Sequence, residues 1–195
     1  QIGSTNNSIC SVTLTPNAAV NGTVKANFNA DPNNWKNSTS GNLNVIVNRG
    51  GFNQLQLLVP GEAAAPGTAT GKTGTPISHV AGTAFNVTVN AVDANWNLVS
   101  STNVIQITSS DANASLPANA GLVGGTRTFS AVALKTTPSQ TITASDVTDG
   151  TKAPSASPLI PVTAASANKL VFGQQPTDAN VGTTIIPAIT VKVER

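Results

Sequence analysis

Charge is scarce in this chain. Only 9% of its 195 residues are Asp, Glu, Lys or Arg, against about a quarter in an average soluble protein. Ten basic and eight acidic residues leave a net charge of +2. That is too little to hold a phosphate backbone, so nucleic acid is excluded as a partner. The single Cys10 closes no disulfide within the chain and reads as a small apolar residue on a strand. The single His79, in Pro76-Ile77-Ser78-His79-Val80, has no second His for a metal and no acidic neighbour to make it a catalytic base. Tyr and Met are missing, and aromatics total 4%. No apolar run approaches the roughly 18 residues that a membrane-spanning helix needs. These absences remove the material of most active sites. The expectation is a chain that is not an enzyme, with no catalytic, metal or cofactor-binding residues and no cofactor.

What remains alternates. Phe85-Asn86-Val87-Thr88-Val89-Asn90-Ala91 sets apolar and polar side chains on opposite faces, the period of a half-buried strand. Val104 to Thr108, Phe129 to Leu134 and Gln140 to Ala144 do the same, with Asp, Asn, Gly, Ser and Pro between them. No window carries a helical stripe, and the twelve prolines are spread throughout. The fold class expected is all-β, in short strands that suit a sandwich.

The chain also echoes itself. Pro76 and Gly82-Thr83 return 100 residues later as Pro176 and Gly182-Thr183, each followed by an alternating run, Val87-Thr88-Val89 or Ile189-Thr190-Val191. Asn53, Leu55 and Leu57 return 115 residues later as Asn168, Leu170 and Phe172. The difference of 15 marks residues 61–75, rich in Ala, Pro, Gly and Thr, as an inserted loop. Upstream, Thr23-Val24-Lys25-Ala26 and Asp31 match Thr141-Ile142-Thr143-Ala144 and Asp149 at a separation of 118. The reading is one complete module over 52–165 between two partial ones. In immunoglobulin-like lettering, A lies near 54–59, B near 84–92, C near 98–108, D near 114–116, E near 127–134, F near 139–146 and G near 158–163. Residues 1–51 then correspond to E, F and G alone, and residues 166–195 to A and B alone.

Lys169-Leu170-Val171-Phe172-Gly173-Gln174-Gln175-Pro176 with Val181-Gly182-Thr183 resembles the opening of the bacterial immunoglobulin-like repeats of large cell-surface and adhesin proteins. The run from Ala81 to Asn95 is similar to the same family's B strand and B–C turn. Ser109-Ser110-Asp111-Ala112 and Thr141 to Asp146 are similar to its later landmarks. The resemblance implies tandem immunoglobulin-like sandwiches at the cell surface. It implies no single function, because such modules serve as stalks, spacers, adhesive tips and filament subunits. Where the family turn carries Gly, this chain has Trp96.

A few residues stand out against that background. Asp93-Ala94-Asn95-Trp96-Asn97 starts like a calcium loop, but Leu98 and Val104 occupy the positions that need Gly and a bidentate Glu. The residues suit an Asx-bonded turn, with calcium at a joint, shared with Asp31 or Asp111, as the alternative. Gly71-Lys72-Thr73 ends like a phosphate-binding loop, yet Pro66 stands where that loop needs its first glycine. Trp96 and Trp35 are expected at turns, in contact with a neighbouring module or with a glycan or protein partner.

The composition, short of charge and Cys and rich in Thr and Asn, suits an extracellular protein. Two functions are open. One is a structural stalk or filament subunit whose partner is itself, polymerising head to tail by donating its C-terminal A and B strands, with the segment that holds Ile185, Ile189, Val191 and Val193, to the E, F and G strands of a neighbouring copy. The other is an adhesin module that recognises a glycan or a partner protein.

Overall fold

A computed structural model describes residues 43–194 without a break and, before them, Thr13, Thr15 and residues 21–24, 27–28 and 38–39. Cys10, Asp31 and Trp35 lie outside the described residues. Among the described residues four short strands come first: β1 (Asn21–Val24), β2 (Asn27–Phe28), β3 (Ser38–Thr39) and β4 (Leu43–Ile46). A central unit follows with β5 (Gln54–Leu58), β6 (Glu62–Ala64), β7 (Lys72–Gly74), β8 (His79–Val80), β9 (Phe85–Val92) and β10 (Val104–Ser109). It continues through β11 (Ala120–Gly121), β12 (Thr126–Val132), β13 (Ser139–Gln140), β14 (Ile142–Asp146), β15 (Ser155–Ala156) and β16 (Ile160–Thr163). The last pair is β17 (Lys169–Gln174) and β18 (Thr190–Glu194). The chain is all-β: the described residues form no helix, and so none long and apolar enough to cross a membrane.

β9 shows why these residues make strands. Phe85, Val87, Val89 and Ala91 are buried on one face, while Asn86, Thr88 and Asn90 look the other way. A branched or aromatic side chain every second residue fits a pleated, half-buried surface. β9 lies between β5 and β12, antiparallel to both. Facing this layer are β11–β10–β14–β15 and the narrower strip β13–β16–β8. Leu55, Leu57, Val87, Val89 and Phe129 from the first layer share one core with Ile105, Ile107, Ile142, Ala144, Ile160 and Val162 from the second. Two layers around one core are consistent with a β-sandwich.

Three stretches depart from simple alternation. In β12 the register shifts between Phe129 and Val132, and Ala131 sits there at φ 62°. This one-residue bulge is what lets Phe129 and Val132, three positions apart, both face the core. The run before β10, residues 98–103, holds only an isolated bridge from Leu98 to Val92, so the third long strand starts at Val104. Residues 61–75, expected as a loop, form the β6–β7 hairpin, with Glu62 opposite Gly74 and Ala64 opposite Lys72.

The pairings place the two ends of the central unit at opposite poles. Gln54 enters beside Val92, the last residue of β9. Thr163 leaves beside Val80, just ahead of the first residue of β9, where β16 runs parallel to β8. The chain therefore enters at a leading pole and departs at a trailing one.

The flanking strands repeat pairings found inside the central unit. There, β13–β16 sets Ser139 opposite Pro161, and β14–β15 sets Thr143 opposite Ala156, one residue out of line with the first pairing. In the leading flank, β1–β4 sets Asn21 opposite Ile46, and β2–β3 sets Asn27 opposite Thr39, again one residue out of line in the same direction. In the trailing flank, Leu170 faces Val193 and Phe172 faces Val191, as Leu55 faces Ala91 and Leu57 faces Val89.

Candidate functional site

The leading pole is organised by one carboxylate. Asp93 follows β9 directly and is only 2% exposed. Its Oδ1 accepts from the backbone N–H groups of Asn95 and Asn97 at 2.8 and 2.9 Å. The Asn97 amide donates to both oxygens, at 3.1 and 3.0 Å. Its Oδ2 also accepts from the Gly50 N–H at 2.8 Å. Burial by itself raises this carboxyl's pKa, but the amides of Gly50, Asn97 and Asn95 outweigh it and hold the pKa below the usual range. Arg49 adds a bond to the Leu98 carbonyl at 2.8 Å. The Asp93 turn is thus bonded by its own amides, as the Asx reading expects, and it also ties down the strand approach from the leading flank. Among the described residues no three His, Cys, Asp or Glu side chains gather as a cation site would require.

Trp96 stands on the same turn at φ 66°. Its indole lies over Gly71 of the β6–β7 hairpin, so close that a Cβ there would fall 2.1 Å from Cδ2. Gly71, at φ 71°, is the residue that lets hairpin and ring meet. The Gly67 N–H bonds the Asn95 carbonyl at 2.8 Å and fixes the same approach. Trp96 is therefore half-buried inside its own unit.

The hairpin reaches the outer face of β5–β9 through a chain of polar contacts. Thr126 Oγ1 donates to Asn90 Oδ1 at 2.6 Å, Asn90 Nδ2 to Gln56 Oε1 at 2.9 Å, and Gln56 Nε2 to the Gly71 carbonyl at 2.7 Å. Gln56 is 1% exposed, a buried amide whose every group here is bonded. Beside it, Lys72 Nζ meets Glu62 Oε1 at 2.8 Å and the Leu57 carbonyl at 3.3 Å. Nothing in the alternation of Gln54-Leu55-Gln56-Leu57 marks Gln56 for burial. The available signal is the insertion itself, which needs a surface to lie on.

Other polar residues do structural work at the far pole. Asp111, 4% exposed, accepts from the Asn113, Lys135 and Thr136 N–H groups and from the Thr136 hydroxyl. His79 sits on β8 with its ring stacked on Phe85 at 3.9 Å. Its buried Nε2 has no hydrogen-bond partner, and burial lowers its pKa.

The trailing flank presents a run of exposed apolar side chains. Leu170, Phe172, Val191 and Val193 are 70, 55, 58 and 65% exposed, on one face of the β17–β18 pair. Of the four residues expected in a donated strand, Val191 and Val193 lie in β18, Ile189 just precedes it, and Ile185 lies in the connecting loop. Leu170 and Phe172, which echo Leu55 and Leu57, make the other half of this face.

Comparison of the chain with protein-family models, with curated proteins and with solved structures finds no match to any of them.

Proposed function

We propose that this chain is a structural segment of an extracellular stalk or filament built from immunoglobulin-like sandwiches in tandem. In that lettering β5 and β9 are A and B, β10 is C, β12 is E, β13 and β14 are F, and β16 is G. The pairings of A and E with B, of C with F and of G with F are those of such a sandwich. The observation that carries the reading is the repeated register of the flanks. Residues 1–51 then hold the E, F and G end of one module, 52–165 a complete module, and 166–195 the A–B start of another.

Two further features favour a stalk. The central unit takes the chain in at one pole and releases it at the other, so successive units extend a line. Asp93 and Leu98 bond the incoming residues Gly50 and Arg49, which stiffens the joint. Trp96 rests one ring face on Gly71 of its own unit, which fixes the turn at this pole.

Antibodies raised against this chain test the assignment on cells that make it. Labelling of intact cells, lost after brief protease treatment of their surface, is the expected result. Labelling only after permeabilisation overturns it.

A further inference from the structure

β8 is held to the sandwich by few bonds and one ring. Two of its residues pair with β16, His79 beside Val162 and Val80 beside Thr163. The Ala81 N–H donates to the Thr163 carbonyl at 2.8 Å, and the Thr163 hydroxyl donates to the His79 carbonyl at 3.3 Å. Just past the strand, Ala81 packs against the core and the Gly82 N–H bonds the Leu134 carbonyl. Ile77 and Val80 are 53 and 45% exposed, so they add little burial. The anchor is the His79 ring, stacked on Phe85 with centroids 3.9 Å apart and planes 16° from parallel. β9 needs no such anchor, because β5 and β12 pair with it along most of its length.

The ring is placed for one protonation state. Its Nε2 is buried with no hydrogen-bond partner among the described residues. A neutral imidazole can present a bare lone pair there and keep its proton on Nδ1. An imidazolium carries N–H on both nitrogens, so Nε2–H and its charge would face an interior that offers no acceptor. Among the described residues no counter-charge relieves that cost. β5, β9, β13 and β16 carry no titratable side chain. The one charge on β12, Arg127, sits opposite Val89 and not Phe85. Lys135, beside Leu134, is exposed and of the wrong sign. Glu62 follows the turn whose Pro60 carbonyl accepts from the Ile77 N–H. Its carboxylate is already closed by Lys72 Nζ at 2.8 Å and the Val59 N–H at 3.2 Å. Burial alone moves the His79 pKa, and it moves it down.

We infer that β8 is a proton-operated latch: when His79 gains its second proton the ring leaves Phe85 and β8 detaches from β16, while the two layers stay closed. The step takes one proton from solvent onto Nε2 and breaks no covalent bond. Its consequence is local. Release uncovers the edge of β16 at Val162 and Thr163, at the pole where the chain departs toward β17. An edge that was paired becomes open to another strand.

The test is amide hydrogen exchange on the full 195-residue chain, read by nuclear magnetic resonance at pH 7.5 and pH 5 and corrected for intrinsic rates. Ala81, bonded across the β8–β16 pair, is expected to lose protection several-fold at pH 5. The ceiling is about thirtyfold, set by an imidazole that titrates at 6.5 once released. Ala91, whose N–H bonds the Gly125 carbonyl at 2.7 Å inside the sandwich, is expected to keep its protection. His79→Phe and His79→Gln are expected to hold Ala81 at one level at both pH values, with protection at Ala91 showing that each is folded. Equal protection of wild-type Ala81 at the two pH values overturns the latch. Loss at Ala81 and Ala91 together also overturns it, since acid then acts on the whole sandwich. So does a loss that persists in both variants, since another group is then the sensor.

Discussion

Asp111 and His79 respond to acid in different pH windows, and each window follows from what surrounds the group. Burial raises the pKa of Asp111, but the Lys135 N–H, the Thr136 hydroxyl and the Asn113 and Thr136 amides overcome that and lower it to about 2. An ordinary Asp titrates near 3.8, so the unfolded chain takes up this proton first. The stability Asp111 contributes is complete above pH 3.8 and is lost as pH falls through about 2. Asp111→Asn should lower stability at pH 7 by about 1–3 kcal/mol, through lost charge-assisted bonds, and flatten the steep fall at low pH. Urea unfolding at stepped pH checks both. His79 works at milder pH. Its Nε2 has no partner in the interior, so the charged form is disfavoured and the pKa drops below 6.5. The unfolded chain again binds the proton first, and stability begins to fall as pH drops below 6.5. His79→Phe, which keeps a ring against Phe85, should remove that early decline while leaving the low-pH one, as a thermal midpoint followed from pH 8 to pH 4 would show. Sequence reading identified the Asp93 turn correctly, since an Asx side chain bonds amides two and four residues ahead. It missed the Gly50 bond, because a partner 43 residues away leaves no local trace. The stacking of His79 on Phe85 was equally hidden, since it depends on how β8 lies against the start of β9.

The elements were legible where one periodicity governs and obscure where a second surface intervenes. β9, β10 and β14 stand where period-two patterns place them, because one face of each meets the core and the other does not. The pattern in β12 breaks at Ala131, and an alanine at positive φ gives no warning of a bulge. Residues 61–75 read as a loop from their Gly, Pro and Thr content, yet they close into a hairpin seated on the outside of β5–β9. Its contacts with the sheet are polar, and polar burial has no periodic signature. Gly71 is the point at which this element can be tested. Gly71→Ala would place a methyl against the Trp96 ring and ask a non-glycine residue to hold φ 71°. The expected result is a loss of about 2 kcal/mol and a red shift in tryptophan emission as Trp96 is displaced into water. Emission unchanged from the wild type would mean that the ring does not rest on Gly71. The core should survive, because Leu55, Leu57 and Val89 are buried from the opposite side of the sheet.

At the scale of the whole molecule, repetition was the legible quantity. The offsets of 118 and 115 residues found by matching letters agree with the registers of β1–β4 and β13–β16, and both pairings are followed by a one-residue step. β9 and β18, by contrast, correspond at 102 residues and not at 100. What letters could not convey is direction. That β16 runs parallel to β8 while β5 starts at the far pole emerges only when the pairings are assembled. Direction has a mechanical meaning. If the two ends of the chain are drawn apart, β8 and β16 are pulled in opposite senses along their length, so their bonds carry the load together. The β17–β18 hairpin meets tension differently: its outermost pair is Lys169 with Glu194, and a pull on those two ends opens one pair at a time. A tether under rising force should therefore yield first at this uncovered hairpin and only much later at the central sandwich, giving the chain a soft link and a stiff one in series.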